Sequence, residues 1–168
     1  MTSFNLRQVK LRPGEQHREA LEVELPAFEF GGQRYVPVPE TVTADFVIDR
    51  ALTGTVFGLT FATHLQGPCY RCLGDAFLDI PVKAREYQAE SPDDEELTTP
   101  YVAADQLDVS AWARDNVALA LPEKILCRKG CAGLCATCGA SLNDNPHEHD
   151  APPGDSRWSA LDGLRGLL

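Results

Sequence analysis

Four of the six cysteines of this chain crowd into one short stretch, Cys127 to His149 (CRKGCAGLCATCGASLNDNPHEH), with two of its four histidines. Thiolate sulfur and imidazole nitrogen are the ligands that tetrahedral Zn²⁺ prefers, and a short turn can bring a close pair to one ion. Cys135 and Cys138, in LCATCG, are such a pair. Gly139 follows the second thiolate, where a knuckle turn often needs positive φ or a close approach of backbone N–H groups to sulfur. Further on, His147 and His149 stand one residue apart and can complete a tetrahedron.

Spacing leaves three groupings open. One is Cys135, Cys138, His147 and His149. The second is Cys127, Cys131, Cys135 and Cys138, all from one loop. The third joins Cys135 and Cys138 to the remaining pair, Cys69 and Cys72, in GPCYRCLG. An even number of cysteines also permits disulfides. However, MTSFNLRQVKLRPGE offers no apolar run for a secretory leader, and no stretch approaches the ~20 apolar residues of a membrane span. We therefore expect a cytoplasmic protein in a reducing compartment, where clustered cysteines bind metal or do redox work. Cys69-x-x-Cys72 can serve either purpose.

A chain of 168 residues suits one domain of ordinary size, here with an appended metal-binding loop. Its formal net charge of −10 argues against a general basic nucleic-acid surface, though a local patch can still bind RNA. Arg71, Arg128 and Lys129 lie among the cysteines, where their simplest role is to offset thiolate charge.

Upstream, hydropathy alternates with the period of strands. Leu21, Val23 and Leu25 alternate with Glu22 and Glu24, and short extended pieces follow around Phe28–Phe30 and residues 35–39. Val42, Ala44, Phe46 and Ile48 share one face; Phe57, Leu59, Phe61 and Leu65 repeat the pattern after a turn at Thr53 and Gly54, which predicts an antiparallel hairpin. His64 falls on the opposite face as a partly exposed strand residue. The next strand, over residues 76–87, places the CxxC in a strand-to-strand turn. A redox CxxC of the thioredoxin type opens a helix instead. Residues 90–100, ESPDDEELTTP, read as a solvated acidic linker. Asp108 and Ser110 can cap a helix from about Ala111 to Leu121, with Trp112, Val117, Ala120 and Leu121 facing inward. A second helix opens at Asp155 or Ser156 with Trp158, Leu161, Leu164 and Leu168 at helical spacing. The expected fold is α+β: a single domain over 1–168, mainly antiparallel β-sheet, with two short helices and a zinc-knuckle-like Cys/His loop.

The ordered segments CYRCLGDAF, LPEKILC, CAGLCATCGASLN and DSRWSAL resemble the bacterial YceD family of large ribosomal RNA subunit accumulation proteins. The resemblance covers roughly Thr41 to Leu168, and residues 1–40 match loosely. Members with the fuller cysteine set carry a CxC pair where this chain has His147 and His149. That exchange keeps zinc-ligand chemistry, so the resemblance implies structural Zn²⁺ on Cys135, Cys138, His147 and His149, with Cys127, Cys131, Cys69 and Cys72 as alternative ligands. It further implies a cytoplasmic, non-enzymatic factor for 23S ribosomal RNA accumulation or processing and large-subunit assembly. Its partners would be a pre-ribosomal large subunit, 23S rRNA, or a ribosomal or assembly protein, with no membrane and no small-molecule substrate. Two other readings remain: a zinc-binding thiol redox or metal-transfer protein using Cys69 and Cys72, and a zinc enzyme using Glu148 or Asp150 as base.

Overall fold

A computed structural model of the chain describes residues 1–90 and 97–149. They belong to two compact units, Met1–Cys131 and Ala132–Leu168. The expected helix at 155–168 lies outside the described residues, as do residues 91–96 of the acidic segment.

The first unit is built on alternation. Its strands are β1 (Ser3–Asn5), β2 (Gln16–Glu24), β3 (Phe28–Phe30), β4 (Gln33–Pro37), β5 (Thr41–Arg50), β6 (Gly54–Pro68), β7 (Asp75–Ala89), β8 (Val102–Ala103) and β9 (Gln106–Asp108). All the pairings are antiparallel. β6 is the spine of the larger sheet: β7 pairs along its full length on one edge, and β5 and then β4 share the other. β2 extends the sheet beyond β5, and β1, β9 and β8 form a small second sheet.

Because side chains alternate across a strand, one face of the sheet collects the apolar residues. Val42, Ala44, Phe46 and Ile48 of β5 are buried with Phe57, Leu59, Phe61 and Leu65 of β6, as the period predicts, and Ile80, Val82 and Ala84 of β7 join them. Register puts Phe46 opposite Leu59 and Leu59 opposite Ala84. Burial of this area at about 25 cal/mol per Å² of apolar surface is the main stabilising term of the unit. His64 is exposed on the other face beside Asp79.

Of the two helices expected, the described residues hold one, α1 (Val109–Leu119), and the other falls outside them. The Asp108 carboxylate accepts from the Ala111 N–H at 2.9 Å, the capping bond its position predicts. Val109, Trp112, Ala113 and Val117 of α1 close over the core. Ala120, expected to face inward, is exposed at the C-cap, because the helix ends at Leu119, before Pro122 and two residues earlier than the pattern suggested. The linker reading also needs correction at its end: Thr99 is buried and its N–H donates to the Gln88 side-chain oxygen.

Candidate metal centres

The turn between β6 and β7 is prepared by packing. The Tyr35 ring lies across Gly67, where any Cβ would sit 2.3 Å from the ring, and the Tyr35 hydroxyl donates to the Pro68 carbonyl at 2.9 Å. The strand end that delivers Cys69 is therefore fixed by the sheet. From Cys69 the backbone closes a tight loop: the Cys69 N–H donates to the Gly74 carbonyl (2.7 Å), and the Leu73 N–H returns to the Cys69 carbonyl (3.0 Å). The N–H groups of Arg71 and Cys72 point at the Cys69 sulfur, and that of Gly74 at the Cys72 sulfur. Leu73 closes the loop at φ 58°, a left-handed conformation unusual for leucine.

The second unit repeats the two closing bonds of this loop and the N–H groups on its first sulfur. The Cys135 N–H donates to the Ala140 carbonyl (2.8 Å), and the Gly139 N–H to the Cys135 carbonyl (2.8 Å). The N–H groups of Thr137 and Cys138 point at the Cys135 sulfur, and Gly139 has φ 72°. The glycine that the sequence marked for positive φ adopts it.

Each knuckle meets a second pair of ligands from its own unit. Cys69 and Cys72 stand with Cys127 and Cys131; Cys135 and Cys138 stand with His147 and His149. Within each set the ligand atoms lie within 4.8 Å of one another. The cysteines thus group in neither of the two all-cysteine ways that spacing suggested. Cys127 and Cys131 join the distant CxxC because residues 125–131 return to the β6–β7 turn, where the Tyr70 N–H donates to the Ile125 carbonyl (2.8 Å). Arg71 Nη1 donates to the Cys131 carbonyl at 2.9 Å, which gives this arginine a supporting role among the thiols.

The two sets differ in surroundings. Cys69 and Cys131 are fully buried, and both belong to the hydrophobic core. Burial pushes the Cys69 thiol up, but the N–H groups of Cys72, Cys127 and Arg71 outweigh it and bring it down to about 6. Burial and the crowd of neighbouring thiols push Cys127 up to about 12. Only part of the set can hold negative charge unaided, which is the condition a bound dication relieves. In the other set, the N–H groups of Cys138 and Thr137 bring Cys135 down to about 6. His147 Nδ1 donates to the Asn145 carbonyl at 2.8 Å, which directs Nε2 at the Cys138 sulfur 3.1 Å away. That carbonyl and the two thiols raise His147 to about 9. A carbonyl behind the ring is the usual way a ligating histidine is oriented. Glu148 is exposed, and Asp150 lies outside the described residues.

Sequence reasoning missed the pairing of Cys69 and Cys72 with Cys127 and Cys131. The available signal was arithmetic: once Cys135, Cys138, His147 and His149 form one set, four cysteines are left.

Comparison with known proteins gives a consistent picture. A family model described as large ribosomal RNA subunit accumulation protein YceD matches residues 57–165, a range that includes all eight of these cysteines and histidines. Uncharacterized proteins of Mycobacterium tuberculosis and Mycobacterium bovis are each 30% identical over 128 residues, covering 73% of this chain and 61% of their own length. An uncharacterized protein of Mycobacterium leprae is 30% identical over 166 residues, covering 94% of this chain and 75% of its own. The chain thus spans about three fifths of the length of the first two relatives. No solved structure matches it.

Proposed function

The chain belongs to the YceD family, and from that membership we propose that it supports accumulation of 23S ribosomal RNA as a non-enzymatic factor in large-subunit assembly. The observation that carries the proposal is the family match over residues 57–165, which links the chain to the large ribosomal RNA. Its partners are a large-subunit precursor, 23S rRNA, or a ribosomal or assembly protein, met in the cytoplasm. An acidic surface with net charge −10 favours basic ribosomal proteins among these. Among the described residues no helix is long and apolar enough to cross a membrane.

Cys135, Cys138, His147 and His149 hold Zn²⁺ in this proposal. Four protein ligands fill a tetrahedron and leave no position for a reacting water, which favours a structural ion over a catalytic one. No small-molecule substrate is then needed. The redox or metal-transfer reading draws support from the lowered Cys69 thiol. It has less support than metal binding, because Cys69 is 0% exposed and attack on a partner disulfide needs access.

Depletion of the protein in its own cells, followed by ribosome gradients and quantitation of 23S against 16S RNA, tests the proposal. The expected result is a shortage of large subunits and of 23S RNA, restored by the wild-type chain. Unchanged ribosomes would refute it.

A further inference from the structure

We infer that Cys69, Cys72, Cys127 and Cys131 form a second, all-thiolate zinc site, separate from the Cys/His set and built into the core of the first unit.

Distances within the set support this. A tetrahedron with metal–sulfur bonds of about 2.3 Å has sulfur–sulfur edges of about 3.8 Å. Cys69 Sγ lies 3.8 Å from Cys131 Sγ, and Cys72 Sγ lies 3.7 Å from Cys127 Sγ. Disulfide sulfurs stand about 2.05 Å apart, so these contacts have the spacing of thiolates around an ion and not that of two bridges. Backbone geometry is a second, independent support. The Cys69–Gly74 loop has the same pair of closing hydrogen bonds, the same N–H groups on the first sulfur and the same left-handed closing residue as the Cys135–Ala140 loop. One local structure built twice, each time facing two further ligands, points to one chemistry used twice. Leu73 strengthens the case, since a left-handed leucine is strained and persists where the surroundings dictate the backbone.

Ligand type selects the ion. Four thiolates in a closed tetrahedron suit Zn²⁺, which has no redox chemistry and no geometric demand beyond the tetrahedron. With both CxxC thiols committed as ligands, the ion joins the β6–β7 turn to the segment that follows α1. Binding converts the thiols to thiolates and releases their protons to solvent.

Metal content of the full chain, purified under reducing conditions, tests the inference. The wild-type chain is expected to carry two zinc ions, and the Cys69→Ser/Cys72→Ser variant one. Because that variant can fail to fold, a second one, Cys135→Ser/Cys138→Ser, leaves the proposed site untouched. It should retain one zinc, and on exchange with Co²⁺ should give the ligand-field bands of a four-sulfur tetrahedron. A Cys135→Ser/Cys138→Ser chain without metal, or with bands showing nitrogen ligands, would overturn the inference. If the wild-type chain holds one ion and this variant keeps it, the all-thiolate site stands and the Cys/His assignment fails.

Discussion

The two knuckles share a backbone and differ in everything around it. The Cys69 loop hangs from a fifteen-residue strand pair, and two of the four sulfurs of its set, those of Cys69 and Cys131, belong to a core that includes Trp112, Phe46 and Leu59. The Cys135 loop has no such support: among residues 132–149 the one buried position is Gly133. Without apolar burial, a segment lacks the main term that offsets the entropy of ordering it. Within the proposal, metal therefore adds to a fold that already exists in the first unit and supplies the fold in the described part of the second. Identical local geometry can thus carry unequal weight, and its surroundings decide which.

The largest expected effect lies where metal has no competitor. Cys138→Ser should remove one zinc and abolish hydrogen-exchange protection of the Cys135, Gly139 and Leu142 amides, while the sheet keeps its unfolding transition. Protection that survives metal loss would show that the loop orders itself. Cys127→Ser makes the same chemical change at an equally exposed cysteine of the first unit. There, apparent zinc-binding free energies of about 10–16 kcal/mol set the upper bound, and the core retains part of the fold. The expected outcome is a sheet that still forms and melts more than about 10 °C lower, followed by circular dichroism. Equal behaviour of the two variants would break the contrast.

Smaller effects separate the supports of each loop. Gly67→Ala drives a Cβ to 2.3 Å from the Tyr35 ring and 2.8 Å from the Arg34 carbonyl. Overpacking of this kind costs typically about 1–3 kcal/mol, and should lower the midpoint of chemical denaturation with zinc content unchanged. Smallest is the comparison of the closing residues. A Cβ on Gly139 meets nothing within 4 Å, so Gly139→Leu costs only the backbone strain that Leu73 already bears, about 1 kcal/mol. Leu73→Gly should be neutral or stabilising by less than about 1 kcal/mol, as relieved strain is set against the larger entropy of an unfolded glycine. A strong loss from Leu73→Gly would mean that the leucine side chain matters more than its φ.

What the sequence made legible follows the range of the interactions involved. Alternation at Val42–Ile48 and Phe57–Leu65 predicted the buried face because strand period is a local property. Gly139 predicted its own turn, and Asp108 its cap, for the same reason. The membership of the ligand sets was partly hidden. His147 and His149 lie close enough in sequence to be grouped with Cys135 and Cys138 on chemistry and resemblance. The joining of Cys69 and Cys72 to Cys127 and Cys131 depends on where residues 125–131 return after α1, and no local pattern encodes that. Leu73 was equally silent, since nothing in a leucine announces positive φ. Thr99 was misjudged with its acidic neighbours because composition averages over a window and burial acts on single residues.

The most direct test is zinc X-ray absorption on the purified full chain. One all-thiolate and one two-cysteine, two-histidine site together predict an average of three sulfur ligands at about 2.3 Å and one nitrogen at about 2.0–2.1 Å per zinc, shifting to four sulfurs in Cys135→Ser/Cys138→Ser. An average of two sulfurs and two nitrogens, or a wild-type spectrum of sulfur alone, would contradict the assignment of two ions to these two ligand sets.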